Sequence, residues 1–439
     1  MRLKTLLTCI ILVFITINVS WAQQDKTEQR IVKWVDDNNQ PALQLLKDII
    51  NINSGTMNFD GVRAVADVLM PKFQALGMET QWLDGSSFNR AGHFVAKIEG
   101  GKGPKIMLIG HLDTVFEPDS PNQEWRQIDE NTIKGPGIAD MKGGDLIILQ
   151  ALSALHAQGL LKDMNICVVM TGDEELSGSP LSESKKALIE AAEWADIALG
   201  FENGDGNPAT VNVARRSSSG WTLKVTGNAS HSSQIFKPEV GAGAIYEASR
   251  VLYQFYDQLA GEEFLTFNPG AIVGGTTVTY DDIEKSGTAF GKNNVVSKDV
   301  IVTGDIRCLS PEQLARAQAT MKTIVSKHLP ETMATIEFAD GYPPFAPTDG
   351  NYQLMNAFSE VSKDLGFGEV GAVNPADAGA ADISFTSSYI QMGIDGMGMS
   401  GADDHTINET GDIRALPKQS KRAAVLMYRL MKGIKLEKR

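Results

Sequence analysis

The stretch Ile106–Asp113, I-M-L-I-G-H-L-D, decides the fold and points to a site. Four consecutive apolar residues are typical of a strand buried on both faces of a parallel sheet, and polar side chains follow it at once. In open α/β sheets, ligands bind beyond the carboxyl ends of the strands. His111 and Asp113 therefore stand where such a fold carries its chemistry.

Similar apolar runs alternate with helical segments along the chain. Strands are expected at 93–98, 165–170 and 197–200, with helices at 143–157 and near 183–194. This alternation favours an α/β fold with a doubly wound, mostly parallel sheet as the catalytic domain. Further helices are expected at 26–50, with an interruption at Pro41, and at 59–76, 351–365 and 417–432.

A second pattern begins near Arg215 and indicates an inserted domain. Strands and helices then follow in the order β-α-β-β-α-β, which is typical of a ferredoxin-like α+β domain. After Tyr342 the helix–strand alternation of the first domain resumes. The predicted elements of the insert are strands 221–226, 272–279, 300–306 and 334–338 and helices 239–259 and 311–328. The predicted limits are 1–22 for a signal peptide, 23–215 and 340–439 for the catalytic domain, and 216–339 for a lid/dimerisation domain.

The first 22 residues have the features of a secretory signal peptide. Arg2 and Lys4 precede an apolar run from Leu6 to Val19, and Ser20-Trp21-Ala22 is a small-x-small cleavage site. The run is shorter than the ~20 residues of a spanning helix, so a retained membrane anchor is the weaker alternative. We therefore expect a secreted or periplasmic protein without a stable membrane anchor.

The mature chain is strongly acidic. Cleavage after residue 22 removes two basic residues and no acidic ones, which changes the net charge from −14 to −16. Such a chain repels phosphate backbones, which bind through clustered Lys and Arg, so nucleic acid is excluded as a partner. Two cysteines remain, Cys167 and Cys308, and they do not make a disulfide framework.

Imidazole and carboxylate groups recur where the predicted strands end. They are the ligand types that suit zinc and its first-row relatives. Asp140 lies in a Gly-rich loop before a helix, where its carboxylate can offer one oxygen to each of two metals. Scattered surface acids would not share one sheet edge, so this placement favours a two-metal site. The set is His111 and Asp113 in G-H-L-D, Asp140 in G-I-A-D-M-K-G-G, Glu174 and Glu175 in T-G-D-E-E, Glu202 in G-F-E-N, and His405 in A-D-D-H.

Neighbouring residues in this set suit different roles. Glu174 and Glu175 point in different directions in an extended turn, so one can bind metal while the other takes a proton from a metal-held water. His111 and Asp113 leave an extended segment on the same side, which suits a ligand imidazole held by a second carboxylate. His231, in G-N-A-S-H-S-S, either stabilises an oxyanion from the inserted domain or is a turn residue.

Taken together, these segments resemble the M20 family of metallopeptidases, particularly its glutamate carboxypeptidase-like branch. H-L-D-T-V-F, G-P-G-I-A-D-M-K-G-G, T-G-D-E-E-L-S-G-S and D-H-T-I-N-E match in order and spacing, and the resemblance covers residues 30–435. It implies two divalent metal ions, zinc in the first place and cobalt or manganese as alternatives. It also implies that His111 and Glu202 hold one ion, that Glu175 and His405 hold the other, that Asp140 bridges them, that Asp113 orients His111, and that Glu174 is the general base and acid.

The resemblance extends to the inserted domain. It implies that Asn294 and Arg307 bind the free carboxylate of the substrate, which the planar fork of Arg suits. It also implies that His231 acts on the partner subunit's site in dimeric members, so a homodimer through the lid domain is expected. The segment Arg215–Ser219 is unlike the family's commonest lid start, and it would add cationic contacts near the substrate.

The expected activity is that of an exported, metal-dependent carboxypeptidase. A metal-bound hydroxide would attack an amide next to a free α-carboxylate and release a C-terminal amino acid, with glutamate the suggested residue. The alternatives are an N-acyl-amino-acid deacylase or a dipeptidase on the same two-metal site, with a small peptide or N-acyl amino acid as substrate. A non-catalytic binding module is disfavoured because every proposed ligand and the base are present.

Overall fold

The computed structural model describes residues 25–281 and 285–433, so the predicted signal peptide lies outside the described residues. Within these ranges the chain forms ten α-helices. None of the described helices is both long and apolar enough to cross a membrane. The helices are α1 (Lys26–Asp37), α2 (Asn39–Ile50), α3 (Phe59–Ala75), α4 (Lys142–Ala157), α5 (Leu181–Ser184), α6 (Lys186–Trp194), α7 (Ala244–Leu259), α8 (Pro311–Val325), α9 (Asp349–Asp364) and α10 (Ala415–Met431).

The strands of the described residues form five sheets. A six-stranded sheet and the four-stranded sheet of β9, β10, β13 and β14 are the centres of two structural units, and the other strands form a small four-stranded sheet and two two-stranded ribbons. In chain order the strands are β1 (Glu79–Asp84), β2 (Gly92–Glu99), β3 (Lys102–His111), β4 (Arg126–Gln127), β5 (Thr132–Lys134), β6 (Met164–Thr171), β7 (Ile197–Gly200), β8 (Thr210–Val211), β9 (Ser219–Gly227), β10 (Thr266–Gly275), β11 (Thr277–Asp281), β12 (Ser286–Phe290), β13 (Asp299–Arg307), β14 (Thr332–Phe338), β15 (Gly371–Ala372), β16 (Met392–Ile394), β17 (Gly401–Ala402) and β18 (Thr410–Asp412).

The six-stranded central sheet has the order β1-β2-β6-β3-β7-β16. Strands β6, β3, β7 and β16 run parallel, and β2 is antiparallel to both of its neighbours. Both faces are covered: Ile106 and Leu108 of β3 pack in a core with α4 and α10, while Met107 and Ile109 pack in another core with α6. This explains the uninterrupted apolar run in β3. The predicted doubly wound, mostly parallel sheet is confirmed.

The second structural unit is the segment from β9 to β14, which forms a four-stranded sheet of its own. Its order is β10-β13-β9-β14, and every neighbouring pair is antiparallel. Helices α7 and α8 pack on one face, in a hydrophobic core of its own around Trp221, Val251 and Met321. The order of elements is the β-α-β-β-α-β predicted for a ferredoxin-like lid. The hairpin of β11 and β12, inserted between β10 and β13, was not predicted.

The bounds of several helices differ from those expected from the sequence, and two of these differences have a local cause. Helices α1 and α2 replace the expected helix 26–50, and the break falls at Asn38 and not at Pro41. Pro41 lies in the first turn of α2, where the missing N–H has no intrahelical partner to lose. Helix α7 begins later than expected because Gly241 and Gly243 have φ angles of +71° and +78°, which a helix does not allow.

A buried ion cluster supports the loop that follows β6. Lys185 Nζ lies 3.0 Å from Asp173 Oδ1 and 3.2 Å from Asp382 Oδ1, and all three side chains are buried. The hydroxyl of Thr171 donates to Asp382, and that of Ser184 donates to Asp173. Removing one member would leave an uncompensated buried charge, so the cluster holds the start of this loop in place.

Candidate metal centre and active site

The candidate site lies at the carboxyl end of the central sheet. His111 is the last residue of β3, Glu202 follows β7, and Glu175 follows β6. Asp140 precedes α4, and His405 lies in the loop between β17 and β18. Parallel strands present the residues that follow them at one shared edge. Side chains far apart in sequence meet there.

His111, Asp140 and Glu202 form the first candidate ligand group. Nε2 of His111 lies 3.1 Å from Asp140 Oδ1 and 3.5 Å from Glu202 Oε1. Around a tetrahedral ion with bonds of about 2.0–2.2 Å, ligand atoms lie about 3.3–3.6 Å apart. The spacing of these three donors is therefore close to that of atoms that share one cation.

Asp140, Glu175 and His405 form the second candidate group. His405 Nε2 lies 2.9 Å from Asp140 Oδ2 and 3.2 Å from Glu175 Oε2. Asp140 thus turns one oxygen to each histidine, as a bridging carboxylate does. Oε1 of Glu175 is buried and has no hydrogen-bond partner among the described residues. The donor set fits two cations with Asp140 between them.

The two groups differ in their exposure to solvent. The side chain of His111 is 1% exposed, whereas that of His405 is 58% exposed. Asp403 and His405 both have φ angles of +58°, in the left-handed region that residues other than glycine rarely adopt. An exposed loop with backbone strain therefore supplies the second histidine, and such strain is characteristic of functional sites.

Burial and crowded charge shift the pKa values of these groups. Burial raises the pKa of Glu202 well above its ordinary value and that of Glu175 to about 7, and the charge of Asp140 adds to both shifts. Burial lowers the pKa of His111, but Glu202 and the other nearby acids outweigh it and raise that pKa well above its ordinary value. Divalent cations would favour the ionised carboxylates and neutral imidazoles, which is the protonation state of metal ligands.

Asp113 is fully buried and contacts two parts of the site. Nδ1 of His111 lies 3.0 Å from the carbonyl oxygen of Asp113 and 3.5 Å from its Oδ1. The carboxylate of Asp113 also accepts from the backbone N–H groups of Glu174 and Glu175, at 3.1 and 3.2 Å, and from the hydroxyl of Thr56 at 2.6 Å. Besides contacting His111, Asp113 therefore holds the loop that carries both glutamates.

Glu174 lies in the same loop but belongs to neither ligand group. Burial raises the pKa of its carboxyl well above the ordinary value; the charge of His111 opposes this shift, and those of Asp382 and Glu175 add to it. The carboxyl of Glu174 is therefore within electrostatic reach of the ligands without being one of them.

Glu409 is a residue of this site that the sequence interpretation did not assign. It is fully buried, and its carboxylate accepts from the N–H groups of Gly137 and Ala139 at 2.8 Å and of Asp140 at 3.1 Å. Burial raises its pKa to about 8. Glu409 thereby fixes the backbone of the loop that carries Asp140. The only sequence signal was its place at the end of D-H-T-I-N-E.

The candidate substrate-binding residues of the lid lie at two ends of one sheet. The N–H of Ser232 donates to the carbonyl of Asn294 at 2.8 Å, and a β-bridge joins the two segments, so His231 and Asn294 are neighbours. Asn294 precedes β13, which starts at Asp299, and His231 lies beside Asn294. Arg307 is the last residue of the same strand. At about 3.3 Å per residue, this strand separates them by about 26 Å. Arg307 is therefore not brought together with the other two within one chain.

Two paired segments, 215–218 and 342–345, connect the lid to the catalytic domain and are here called the hinge. Arg307 lies at the end of the lid next to this hinge. The next residue, Cys308, exchanges hydrogen bonds with Ser217 on the segment where the chain enters the lid. The guanidinium of Arg307 is about one-third exposed, and its Nε donates to Asp305 at 3.1 Å. Arg307 is thus placed on the side of the lid that joins the catalytic domain.

Arg215 does not supply a free cation near the substrate. It is buried, its Nε lies 2.8 Å from Asp395 Oδ2, and it also donates to the carbonyl of Gly379. Oδ1 of Asp395 in turn accepts from the backbone N–H of Glu202 at 3.3 Å. The expectation of an added cationic contact from Arg215 is wrong, because this charge supports the loop of a candidate metal ligand.

Comparison with known proteins identifies the family. Residues 107–429 match the family model described as Peptidase family M20/M25/M40, which is well over half of the chain. The chain belongs to this family, and it is a metallo-hydrolase of the M20 type. The family predicted from the sequence is confirmed.

Individual relatives agree with this assignment. Carboxypeptidase G2 from Pseudomonas sp. (strain RS-16) is 26% identical over 414 residues, which cover 94% of each chain. Aminopeptidase PepT from Bacillus cereus ATCC 10987 has a similar fold, with a TM-score of 0.70 and 18% identity over 90% of this chain and 99% of that one. The Bacillus subtilis YXEP protein, described as a dinuclear metal binding peptidase from the M20 family, has a TM-score of 0.64 and 15% identity over 91% and 100% of the two chains.

Replacing Glu409 with alanine is expected to weaken metal binding. The Asp140 loop loses three hydrogen bonds, and loss of such outer partners typically lowers metal affinity about 10- to 100-fold. The affinity for Zn²⁺ is measured by competition with a chromophoric chelator, on protein whose fold is checked by circular dichroism. Glu130→Ala, at an exposed acid of the same domain, is the control and is expected to bind like the unchanged protein. Equal affinities in the two variants would show that Glu409 does not support the site.

Proposed function

We propose that this protein is a two-metal carboxypeptidase that hydrolyses an amide bond next to a free α-carboxylate and releases a C-terminal amino acid. The observation that carries the proposal is the pair of ligand groups that share Asp140, with the carboxyl of Glu174 within electrostatic reach of them and outside both. The similarity to carboxypeptidase G2 over 94% of each chain supports release of the C-terminal residue. Glutamate is the first released residue to test.

In the proposed mechanism, His111 and Glu202 would hold one cation, Glu175 and His405 would hold the other, and Asp140 would contribute to both. Zinc is the proposed ion, with cobalt or manganese as alternatives; bound cations would lower the pKa of a water molecule and polarise the scissile carbonyl. Glu174 accepts the proton of the attacking water and delivers it to the leaving amine. Its carboxyl belongs to neither ligand group, so its oxygens stay free to take and return a proton.

Arg307 is proposed to bind the free carboxylate of the substrate. Its partner Asp305 is itself partly exposed, so the ion pair between them is weak and can give way to a substrate. The guanidinium then grips the carboxylate through two parallel hydrogen bonds. Its position beside the hinge directs this contact toward the catalytic domain of the same chain.

His231 and Asn294 are proposed to complete the site of a second copy of the chain. The length of β13 separates them from Arg307 by more than two side chains can span, so one subunit does not place all three on one substrate. A homodimer through the lid removes this conflict, with the oxyanion stabilised by the partner's His231. Exposed aromatic residues on one face of α7, Tyr246 and Tyr253, support such an interface.

The proposed place of action is outside the cytoplasm. A basic start, an apolar run too short to span a bilayer and a small-x-small site in residues 1–22 support cleavage and export. Neither of the two cysteines of the mature chain needs a disulfide partner, since both are buried as free thiols. Burial shields both thiols from oxidants, which suits an oxidising compartment.

The activity is tested with N-acyl amino acids, dipeptides and N-acyl dipeptides, each with a free and an amidated C-terminus. We expect amidation to lower kcat/KM about 100-fold or more, because the polar group that recognises the carboxylate is left unpaired. Removal of metal by a chelator is expected to abolish turnover, and Zn²⁺ to restore it. Turnover that survives the chelator would refute the metal mechanism. Preference for short N-acyl amino acids or for free dipeptides would instead favour the deacylase or the dipeptidase.

Glu174→Gln is expected to retain both metal ions and to lose about 10²- to 10⁴-fold in kcat, the usual contribution of a positioned general base. The amide has the shape of the carboxyl group but cannot accept the proton. Metal content is measured by elemental analysis and kcat by amino-acid release. Glu183→Gln, at an exposed position of the same segment, is the control. Near-normal turnover in Glu174→Gln would mean that another group is the base.

Mixing two inactive variants tests the shared site of the proposed dimer. Glu174→Gln and His231→Ala each lack one half of the site, so a mixed dimer contains one complete site. After random subunit exchange, half of the dimers are mixed, and about a quarter of the original activity is expected to return. A mixture of Glu174→Gln with His111→Ala is the control, since both changes affect the same domain and no site becomes complete. Absence of recovery in the first mixture would contradict the shared site.

A further inference from the structure

We propose that Tyr342 is a positioning residue that couples the hinge of the lid to the loop of the general base. This inference rests on the proposed function, because that function makes Glu174 the base. Tyr342 lies on the segment by which the chain returns from the lid. Its backbone exchanges two hydrogen bonds with Ser218 on the outgoing segment, at 2.9 and 3.0 Å. Tyr342 is therefore part of the hinge itself.

The hydroxyl of Tyr342 reaches from the hinge into the base loop. It donates to the carbonyl oxygen of Glu174 at 2.9 Å and lies 3.1 Å from the hydroxyl of Ser177. It also lies 3.3 Å from Asp382 Oδ1, in the buried ion cluster under the loop. One hydroxyl thus connects both ends of the turn 174–177 to the hinge.

The ring of Tyr342 is held as firmly as its hydroxyl. Phe385 packs edge-on against it with ring centroids 4.9 Å apart, and Lys185 Nζ lies 5.3 Å from the ring centroid. Lys185 is itself fixed by Asp173 and Asp382. The side chain therefore cannot turn away from Glu174 without disturbing this cluster, so a shift of the hinge backbone is passed to the loop.

Around this link, the hinge and the loop are not closely packed. Residues 177–181 and 340–342 line a cavity of about 420 Å³. The contact between the hydroxyls of Tyr342 and Ser177 joins two residues that line this crevice. A crevice leaves the hinge room to move, and the hydroxyl makes the position of Glu174 depend on that movement.

The outgoing hinge segment makes a matching contact with the other side of the site. Arg215 exchanges two backbone hydrogen bonds with Phe345, at 2.9 and 3.0 Å, and its side chain holds Asp395, which accepts from the N–H of Glu202. The returning segment thus contacts the base loop, and the outgoing segment supports a candidate ligand loop. Contacts that a substrate makes with the lid are relayed to the reacting groups through these two segments.

The test is Tyr342→Phe, which keeps the ring and its packing and removes the hydroxyl. We expect kcat to fall about 10- to 100-fold, because a displacement of a reacting group by about 1 Å can cost 10²-fold. KM is expected to stay within twofold and both metals to be retained, because neither the ligands nor Arg307 is changed. Tyr352→Phe, the same chemical change at an exposed tyrosine of α9, is the control and is expected to leave kcat unchanged.

Hydrogen exchange, measured by mass spectrometry on the metal-loaded protein, tests whether a loosened loop causes the loss of kcat. The peptide that contains 174–177 is expected to exchange faster in Tyr342→Phe than in Tyr352→Phe. Phe385→Leu, which disturbs the packing and keeps the hydroxyl, is expected to retain most of kcat. Ser177→Ala, which removes one partner of the hydroxyl, is expected to lower kcat less than Tyr342→Phe and serves as the test if that variant is insoluble.

Three results would overturn the inference: an unchanged kcat in Tyr342→Phe, or in Ser177→Ala where that variant serves as the test; a lower kcat with unchanged exchange of the loop; or an equal loss of kcat in Phe385→Leu. Failure of the proposed function looks different, since Glu174→Gln would then retain its turnover. If Glu174→Gln is inactive while Tyr342→Phe is fully active, the base is correct and the coupling alone is wrong.

Discussion

Two histidines from distant parts of the chain meet on one carboxylate, that of Asp140. His111 comes from the centre of the main sheet, and His405 comes from a loop that the chain reaches only after the whole lid has been inserted. A single side chain can serve both only if its backbone is fixed, and Glu409 fixes it with three hydrogen bonds. The central strand β3, the Gly-rich loop and the loop between β17 and β18 must therefore all be in place for the three side chains to meet.

Buried charged groups also support two other loops of the site, those that carry Glu174 and Glu202. The Lys185 cluster lies under the base loop, and the Arg215–Asp395 pair lies behind Glu202. Ion pairs of this kind add little net stability, since desolvation offsets their attraction, but they tolerate few alternative geometries. Their role here is to fix the backbone at the sheet edge. The Lys185 cluster and the Arg215–Asp395 pair both adjoin the segments that connect the lid to the catalytic domain, so the lid and the metal centre share the same supports.

Much of this structure follows from patterns that are visible in the sequence. The apolar run of β3 followed by His111 predicted the sheet edge, because a strand buried on both faces must end at the polar site. The order of elements in the lid was likewise predicted. Side-chain networks were not: the roles of Glu409 and Tyr342 depend on contacts across more than 150 positions of sequence, for which no local period exists. The prediction that Arg215 adds a cationic contact near the substrate was wrong, because the sequence does not show whether a charged residue is buried in an ion pair.

The unequal exposure of the two histidines has a consequence for how the protein would acquire its metals. More than half of the His405 side chain is open to solvent, whereas that of His111 is enclosed by the protein. An ion held by His111 would be retained while an ion held by His405 exchanges many times. A half-loaded enzyme would then be a regular stage in the lifetime of the protein, and the metal supply of the surroundings would determine how often the second ion is in place.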